Sequence, residues 1–178
     1  MENGNLLLMK ELFVSHSDWD SHLPMLYVAL EKTSGDVFEI GAGELSTLAI
    51  STYCKINKRK FSTWETNEEW IKKVKDVVGS HRLIDINYCL EYGDVIVSDD
   101  CGLLFIDCAP GEKRKELIKE YENIATVIVI HDTEIGSDYV YGMKDVLLNF
   151  KYRVDYKPEG KPHTTAASNF IDVSQWQL

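Results

Sequence analysis

The chain of 178 residues is long enough for one α/β domain with a sizeable core, and its apolar fraction of 44% is ordinary for a globular protein. A formal net charge of −10, with a pI near 4.9, argues against a nucleic-acid backbone or an anionic membrane as the main partner, since both require a basic face. Cys54, Cys89, Cys101 and Cys108 have no CxxC or metal-finger spacing, and no leader-like or membrane-length apolar run is legible, so the expectation is buried free thiols in a cytoplasmic protein.

Residues 4–32 carry two helical patterns: Leu6, Leu7, Met9, Leu12 and Phe13, then Leu23, Met25, Leu26 and Leu30 with Asp18 or Asp20 as the cap. From residue 36 onward strand and helix signals alternate, which predicts βαβ units and a parallel sheet. The predicted strands are 36–40, 61–65, 83–89, 103–106 and 125–130. The helices between them are expected over about 46–56, 68–78 and 112–122. A helix over 139–149 and two strands, 152–156 and 165–173, complete the reading. No internal repeat, linker or low-complexity tract interrupts it.

The most informative segment is Glu39-Ile40-Gly41-Ala42-Gly43-Glu44-Leu45-Ser46, between the first strand and its helix. A strand, a glycine-rich turn and a helix N-terminus form a nucleotide-binding corner. The glycines let a ligand approach the backbone, and the helix start presents unpaired N–H groups. Ser46 replaces the third glycine of the dinucleotide fingerprint, and Glu44 puts negative charge where a pyrophosphate would sit. Glu39, two residues before the first glycine, suits a ligand with an ammonium group. Glu65, ending the second strand, follows Gly43 at about the 20-residue spacing at which an acid meets ribose hydroxyls.

These residues resemble motif I of the class I S-adenosylmethionine-dependent methyltransferases, and the order of elements over residues 36–173 matches that group. The resemblance implies a single doubly wound, mostly parallel sheet with helices on both faces and a C-terminal antiparallel hairpin. It also implies that Glu39, Gly41, Ala42, Gly43, Ser46, Thr47, Glu65 and Asp107 hold S-adenosylmethionine. Residues 1–34 would then be N-terminal helices covering the site of a single domain.

Asp107 and Asp132 follow the fourth and fifth strands, where open α/β sheets bind ligands. With His131 they resemble the catechol- and sugar-directed O-methyltransferase groups, whose acids hold magnesium against a substrate diol. His131-Asp132 departs from the Asp-Asn or Asp-Asp usual there. The expectations are therefore Mg2+ on Asp107 and Asp132, or His131 or Asp132 acting as general base. His22 reads as a satisfied helix-end histidine or as a residue lining the cofactor site. Lys113, Arg114 and Lys115 read as a solvated helix face, with Arg114 within reach of an anionic substrate. Residues 139–142, Trp64, Trp70 and Trp176 read as packing, and His163 as a weak candidate on the substrate side. The function expected is methyl transfer to a hydroxyl of a small or sugar-like acceptor, with self-association compatible. The alternatives are a non-catalytic nucleoside- or partner-binding protein, and a nicotinamide-dependent oxidoreductase, which Glu44 and Ser46 disfavour.

Overall fold

The first strand, β1 (Asp36–Ile40), lies inside a sheet rather than at its edge, because the apolar strands around it need cover on both faces. In the computed structural model, which describes residues 11–178, seven strands run in the order β3-β2-β1-β4-β5-β7-β6. They are β2 (Phe61–Glu65), β3 (Ile84–Tyr88), β4 (Cys101–Ile106), β5 (Val127–His131), β6 (Tyr152–Tyr156) and β7 (Thr164–Ser168). β1 to β5 are parallel, and β7 is antiparallel to both β5 and β6. This is the doubly wound sheet with a C-terminal antiparallel hairpin that the sequence predicts.

Alternation along the central strands builds two cores. Leu103 and Phe105 of β4, with Val127 and Val129 of β5, face one layer. Leu104, Ile106, Ile128 and Ile130 face the other. The first layer is closed by α1 (Leu23–Lys32), α2 (Glu44–Asn57) and α3 (Glu68–Val78). The second is closed by α4 (Lys113–Tyr121), α5 (Ile135–Tyr141) and α6 (Lys144–Leu147), with α4 and α6 supplying its buried side chains. All four cysteines are buried and free. Among the described residues no helix is long and apolar enough to cross a membrane.

Several boundaries differ from expectation. The pattern at Leu6, Leu7 and Met9 lies outside the described residues, and Leu12 and Phe13 are in a turn. Neither Asp18 nor Asp20 caps α1, whose N-cap is His22. Asp20 instead accepts hydrogen bonds from the backbone of His16 and Ser17 upstream. The helix expected over 139–149 is two helices, because Gly142 at φ +64 takes the left-handed turn that ends α5. Within it Tyr139 is 93% exposed, so it does not pack. The last strand stops at Ser168, whose hydroxyl accepts from the backbone N–H groups of Phe170 and Ile171 and fixes a turn.

The order places the change of winding between β1 and β4, with Ile40 beside Ile106. Ligands of open α/β sheets bind in the crevice outside such a point. Gly41 and Asp107 are the next residues on these two strands.

Candidate functional site

The turn after β1 is forced to be glycine. Gly41 has φ +94, and a Cβ there would lie 2.5 Å from the Asp107 carbonyl oxygen. Its N–H donates to the Trp64 carbonyl at 2.9 Å, which ties the turn to β2. Gly43 caps α2, and its N–H donates to Thr47 Oγ1 at 3.0 Å. The Thr47 hydroxyl in turn donates to Glu39 Oε2 at 2.5 Å. Glu39 is wholly buried beneath the turn, and its Oε1 has no partner. Burial pushes its carboxyl up to about 7, against the lowering effect of the Ser46, Thr47 and Thr63 hydroxyls. Contrary to the sequence expectation of an acid facing an ammonium group, Glu39 has no exposed surface to offer one. It holds Thr47, and through Thr47 the turn.

A cavity of about 410 Å³ opens over this turn. Gly41, Ala42, Gly43, Glu44 and Ser46 line one side, Trp70 and Asp107 flank it, and Ser17, Trp19 and His22 face them. Trp70 Nε1 donates to the Ala42 carbonyl at 2.6 Å, so this tryptophan shapes the site rather than only packing. Glu44 and Asp107 line the cavity, and among the described residues no lysine or arginine does. Among the described residues of the N-terminal segment, Ser17, Trp19 and His22 reach the cavity, while α1 packs into the core.

Glu65 stands at the end of β2. Its Oε1 accepts from the N–H groups of Thr66 at 2.7 Å and Asn67 at 2.9 Å, and from Tyr92 Oη at 3.2 Å. Tyr92 belongs to a neighbouring cavity of about 340 Å³ whose walls include Thr66, Ala109, Pro110 and Leu117. Glu91, Lys113, Glu116 and Glu120 line the same recess, and the Tyr92 hydroxyl ties it to Glu65.

The ends of β4 and β5 converge on one buried guanidinium. Arg114 is 5% exposed and bridges Asp107 Oδ1 at 2.8 Å and Asp132 Oδ2 at 2.9 Å. It also donates to the carbonyls of Cys108 and His131. Arg114 shares the buried stripe of α4 with Leu117, Ile118 and Tyr121, at i, i+3, i+4 and i+7. The solvated face expected for residues 113–115 is therefore corrected at Arg114, and that periodicity is the signal that marks it. Asp132 has φ +56, a left-handed conformation that aspartate tolerates and that turns its carboxylate back toward Arg114.

His131 lies between the acids. Its Nδ1 is 3.3 Å from Asp107 Oδ2 and 3.5 Å from Asp132 Oδ1, and its Nε2 is 2.8 Å from the Ser21 hydroxyl. The Ser21 hydroxyl also reaches the Pro162 carbonyl at 3.1 Å. Burial alone would lower the imidazole pKa. The hydrogen bond and charge of Asp107, with the charge of Asp132, carry it above its ordinary value. Burial would raise Asp107, but His131 and Arg114 hold it below the usual carboxylate range. His22 packs edge-on against His131, ring centroids 4.7 Å apart, and neither of its nitrogens has a partner. Burial, reinforced by His131, depresses His22 to about 3, so it is a neutral imidazole.

The Asp107–Asp132 pair does not fit the magnesium ion expected from sequence. Each of the four carboxylate oxygens faces Arg114 or His131 Nδ1, so the acids are already neutralised. A hard ion needing near-octahedral oxygen ligands at about 2.0–2.1 Å would have to displace the guanidinium. A further cavity of about 420 Å³ opens on this cluster, walled by Trp19, Ala109, Arg114, His131, Asp132 and Pro162. Trp19, which is 84% exposed, and Asp107 line both this cavity and the one over the glycine turn. His163 is not among the residues lining either cavity; its backbone N–H donates to Glu134.

No family model matches the chain, and no curated protein matches it by sequence. Solved structures do match its fold. The cofactor-bound Rv0187 from MTB is 13% identical with TM-score 0.66, over 95% of this chain and 89% of that one. An O-methyltransferase from Bacillus cereus in complex with S-adenosylhomocysteine is 10% identical with TM-score 0.60, covering 93% and 89%. An RNA methyltransferase from Salinibacter ruber in complex with S-adenosyl-L-homocysteine is 12% identical with TM-score 0.58, covering 91% and 97%. The fold is that of the class I, Rossmann-like S-adenosylmethionine-dependent methyltransferases.

Proposed function

We propose that this protein transfers a methyl group from S-adenosylmethionine to a hydroxyl of a small or sugar-like acceptor. The observation that carries the reading is the cavity over the glycine turn, whose charged lining among the described residues is Glu44, free of any ion pair there, and Asp107, which Arg114 and His131 pair. A pyrophosphate would meet the Glu44 carboxylate there, and among the described residues no lysine or arginine lines the cavity, Arg114 being spent on Asp107 and Asp132. A sulfonium with an ammonium group meets the opposite sign of charge. This argument, not a glycine count, favours S-adenosylmethionine over a nicotinamide dinucleotide. The structures solved with S-adenosylhomocysteine on the same fold support it.

In this reading Gly41, Ala42, Gly43 and Ser46 contact the amino-acid end of the cofactor, and Glu39 and Thr47 hold the turn from behind. The second oxygen of Glu65 takes the ribose hydroxyls, and the base enters the recess beside Tyr92 and Pro110. The acceptor occupies the cavity walled by Trp19, Asp132 and Pro162, which meets the cofactor cavity at Asp107. The acceptor oxygen attacks the methyl carbon, the carbon–sulfur bond breaks with its electron pair going to sulfur, and S-adenosylhomocysteine leaves. Alignment of the oxygen with the carbon–sulfur bond supplies most of the acceleration. The hydroxyl proton passes to Asp132, the half-buried carboxylate that lines the acceptor cavity. His131 is a poor candidate for that step, being buried away from the cavity opening that Asp132 faces.

Turnover of S-adenosylmethionine across a panel of hydroxyl acceptors, with Asp132→Asn as the variant, tests this assignment. Methylation by the wild type, a kcat loss of about 10²-fold or more in the variant, and unchanged affinity for S-adenosylhomocysteine are expected. Cofactor binding without turnover on any acceptor would favour a non-catalytic binding protein.

A further inference from the structure

His22 is the feature that the proposed methyl transfer leaves without a task. It is 3% exposed, and both its ring nitrogens are unpartnered. A buried donor or acceptor without a partner costs about 1–3 kcal/mol, and such groups in native proteins usually meet a water, an ion or a ligand. One side chain away lie His131 and Asp107, and the donor atoms of the three residues all fall within 4.8 Å of one another.

We propose that His22, His131 and Asp107 form a binding site for a divalent transition metal of the Zn2+, Co2+ or Fe2+ class. Two imidazoles and one carboxylate are a borderline-soft donor set, which selects these ions over Mg2+ and Ca2+. The Nδ1–Oδ2 separation of 3.3 Å between His131 and Asp107 already suits two ligands of one ion. Bonds of about 2.0–2.2 Å place neighbouring ligands about 2.9–3.4 Å apart. The ion replaces the proton between those two atoms, and a His22 ring nitrogen, which lies within 4.8 Å of both, moves in as the third ligand.

The surroundings complete the argument, because a metal-bound histidine usually donates its other ring N–H to a fixed partner. With Nδ1 on the metal, His131 Nε2–H donates to the Ser21 oxygen at 2.8 Å, and the Ser21 hydroxyl donates to the Pro162 carbonyl at 3.1 Å. Every group in that chain is then satisfied with one orientation. Arg114 holds the other oxygen of Asp107 at 2.8 Å, which fixes the carboxylate with Oδ2 toward the histidines. Asp132 stays paired with Arg114 and is not needed as a ligand. Three protein ligands leave a coordination position open. Asp107 lines the cofactor and the acceptor cavities, so that position lies where an acceptor oxygen would arrive.

The site is tested by titrating the metal-free chain with Co2+ alone, followed by its visible absorption, and by measuring Zn2+ content after dialysis. This readout needs neither cofactor nor acceptor, so it can fail while the methyltransferase reading stands. One equivalent of Co2+ with the bands of a low-coordinate nitrogen–oxygen site is expected for the wild type. His22→Gln, checked for folding by circular dichroism, should weaken uptake at least about 100-fold, and Ser21→Ala should weaken it about 10–100-fold. Asp132→Asn should bind Co2+ as the wild type does. The inference is overturned if the folded wild type takes up neither ion at micromolar concentrations, or if folded His22→Gln retains wild-type uptake. It is equally overturned if Asp132→Asn abolishes uptake, which would move the ion to the carboxylate pair.

Discussion

Replacing Glu39 with glutamine separates the demand of the fold from the demand of the glycine turn. The glutamine keeps the size of the side chain and an oxygen for the Thr47 hydroxyl, but it removes the charge. The carboxyl lies at about 7 in the folded protein against an ordinary 4.5, because burial penalises its ionised form. At about 1.4 kcal/mol for each tenfold change, that displacement corresponds to about 3 kcal/mol. The sign follows from which state holds the proton. Below about pH 4.5 both folded and unfolded chains are protonated, and the group contributes no penalty. Between there and about pH 7 the folded chain binds more protons than the unfolded chain, so stability falls as pH rises. Above pH 7 the full penalty is present. Urea unfolding of wild type and Glu39→Gln at pH 5 and pH 8 reads this directly, since groups common to both proteins cancel in the difference. Because the unfolded carboxyl is already partly ionised at pH 5, the variant should gain about 2.5 kcal/mol on the wild type between the two pH values, with equal m-values. A difference that stays constant across that range would mean that Glu39 does not titrate under the turn, and the reasoning would fall.

Three further outcomes are expected. Glu65→Ala should weaken S-adenosylhomocysteine binding by about 1–3 kcal/mol in calorimetry, the cost of unpaired ribose hydroxyls, and unchanged affinity would move the ribose elsewhere. Gly41→Ala should lose about 2–3 kcal/mol of stability in denaturant unfolding, because its Cβ meets the Asp107 backbone at a φ of +94; full stability would contradict the tight approach of β1 and β4. Arg114→Met should lose about 3 kcal/mol by the same assay, since Asp107 and Asp132 would face each other without their shared cation. A loss below about 1 kcal/mol would mean that solvent already screens the pair.

The fold was legible wherever a local pattern decides it. β1 and β2 fall on their expected residues, because each is a short β-favouring run bounded by turn signals and followed by an amphipathic helix. β5 runs through His131, which polarity placed outside the strand although its side chain is buried by contacts from Ser21 and Asp107. The glycine turn and the two acids after β4 and β5 were readable because strand ends are where such sheets bind ligands. What sequence hid was long range. The Ser21–His131 contact joins positions 110 residues apart, and no local pattern announces it. Trp19 was passed over because a single aromatic in a polar turn carries no periodicity. His22 reads either as a satisfied helix-end residue or as part of the site lining; it lines the cavity, and only the structure shows that neither nitrogen is satisfied. Arg114 was hidden by two lysine neighbours, and only its place on the stripe with Leu117, Ile118 and Tyr121 turns it inward.

The central claim is that the cavity over Gly41–Gly43 selects a phosphate-free, cationic nucleoside, and calorimetric titration with S-adenosylmethionine and with NAD tests it most directly. The account predicts saturable binding of S-adenosylmethionine with one site per chain, and no measurable heat of binding with NAD. Binding of NAD in preference to S-adenosylmethionine would contradict it.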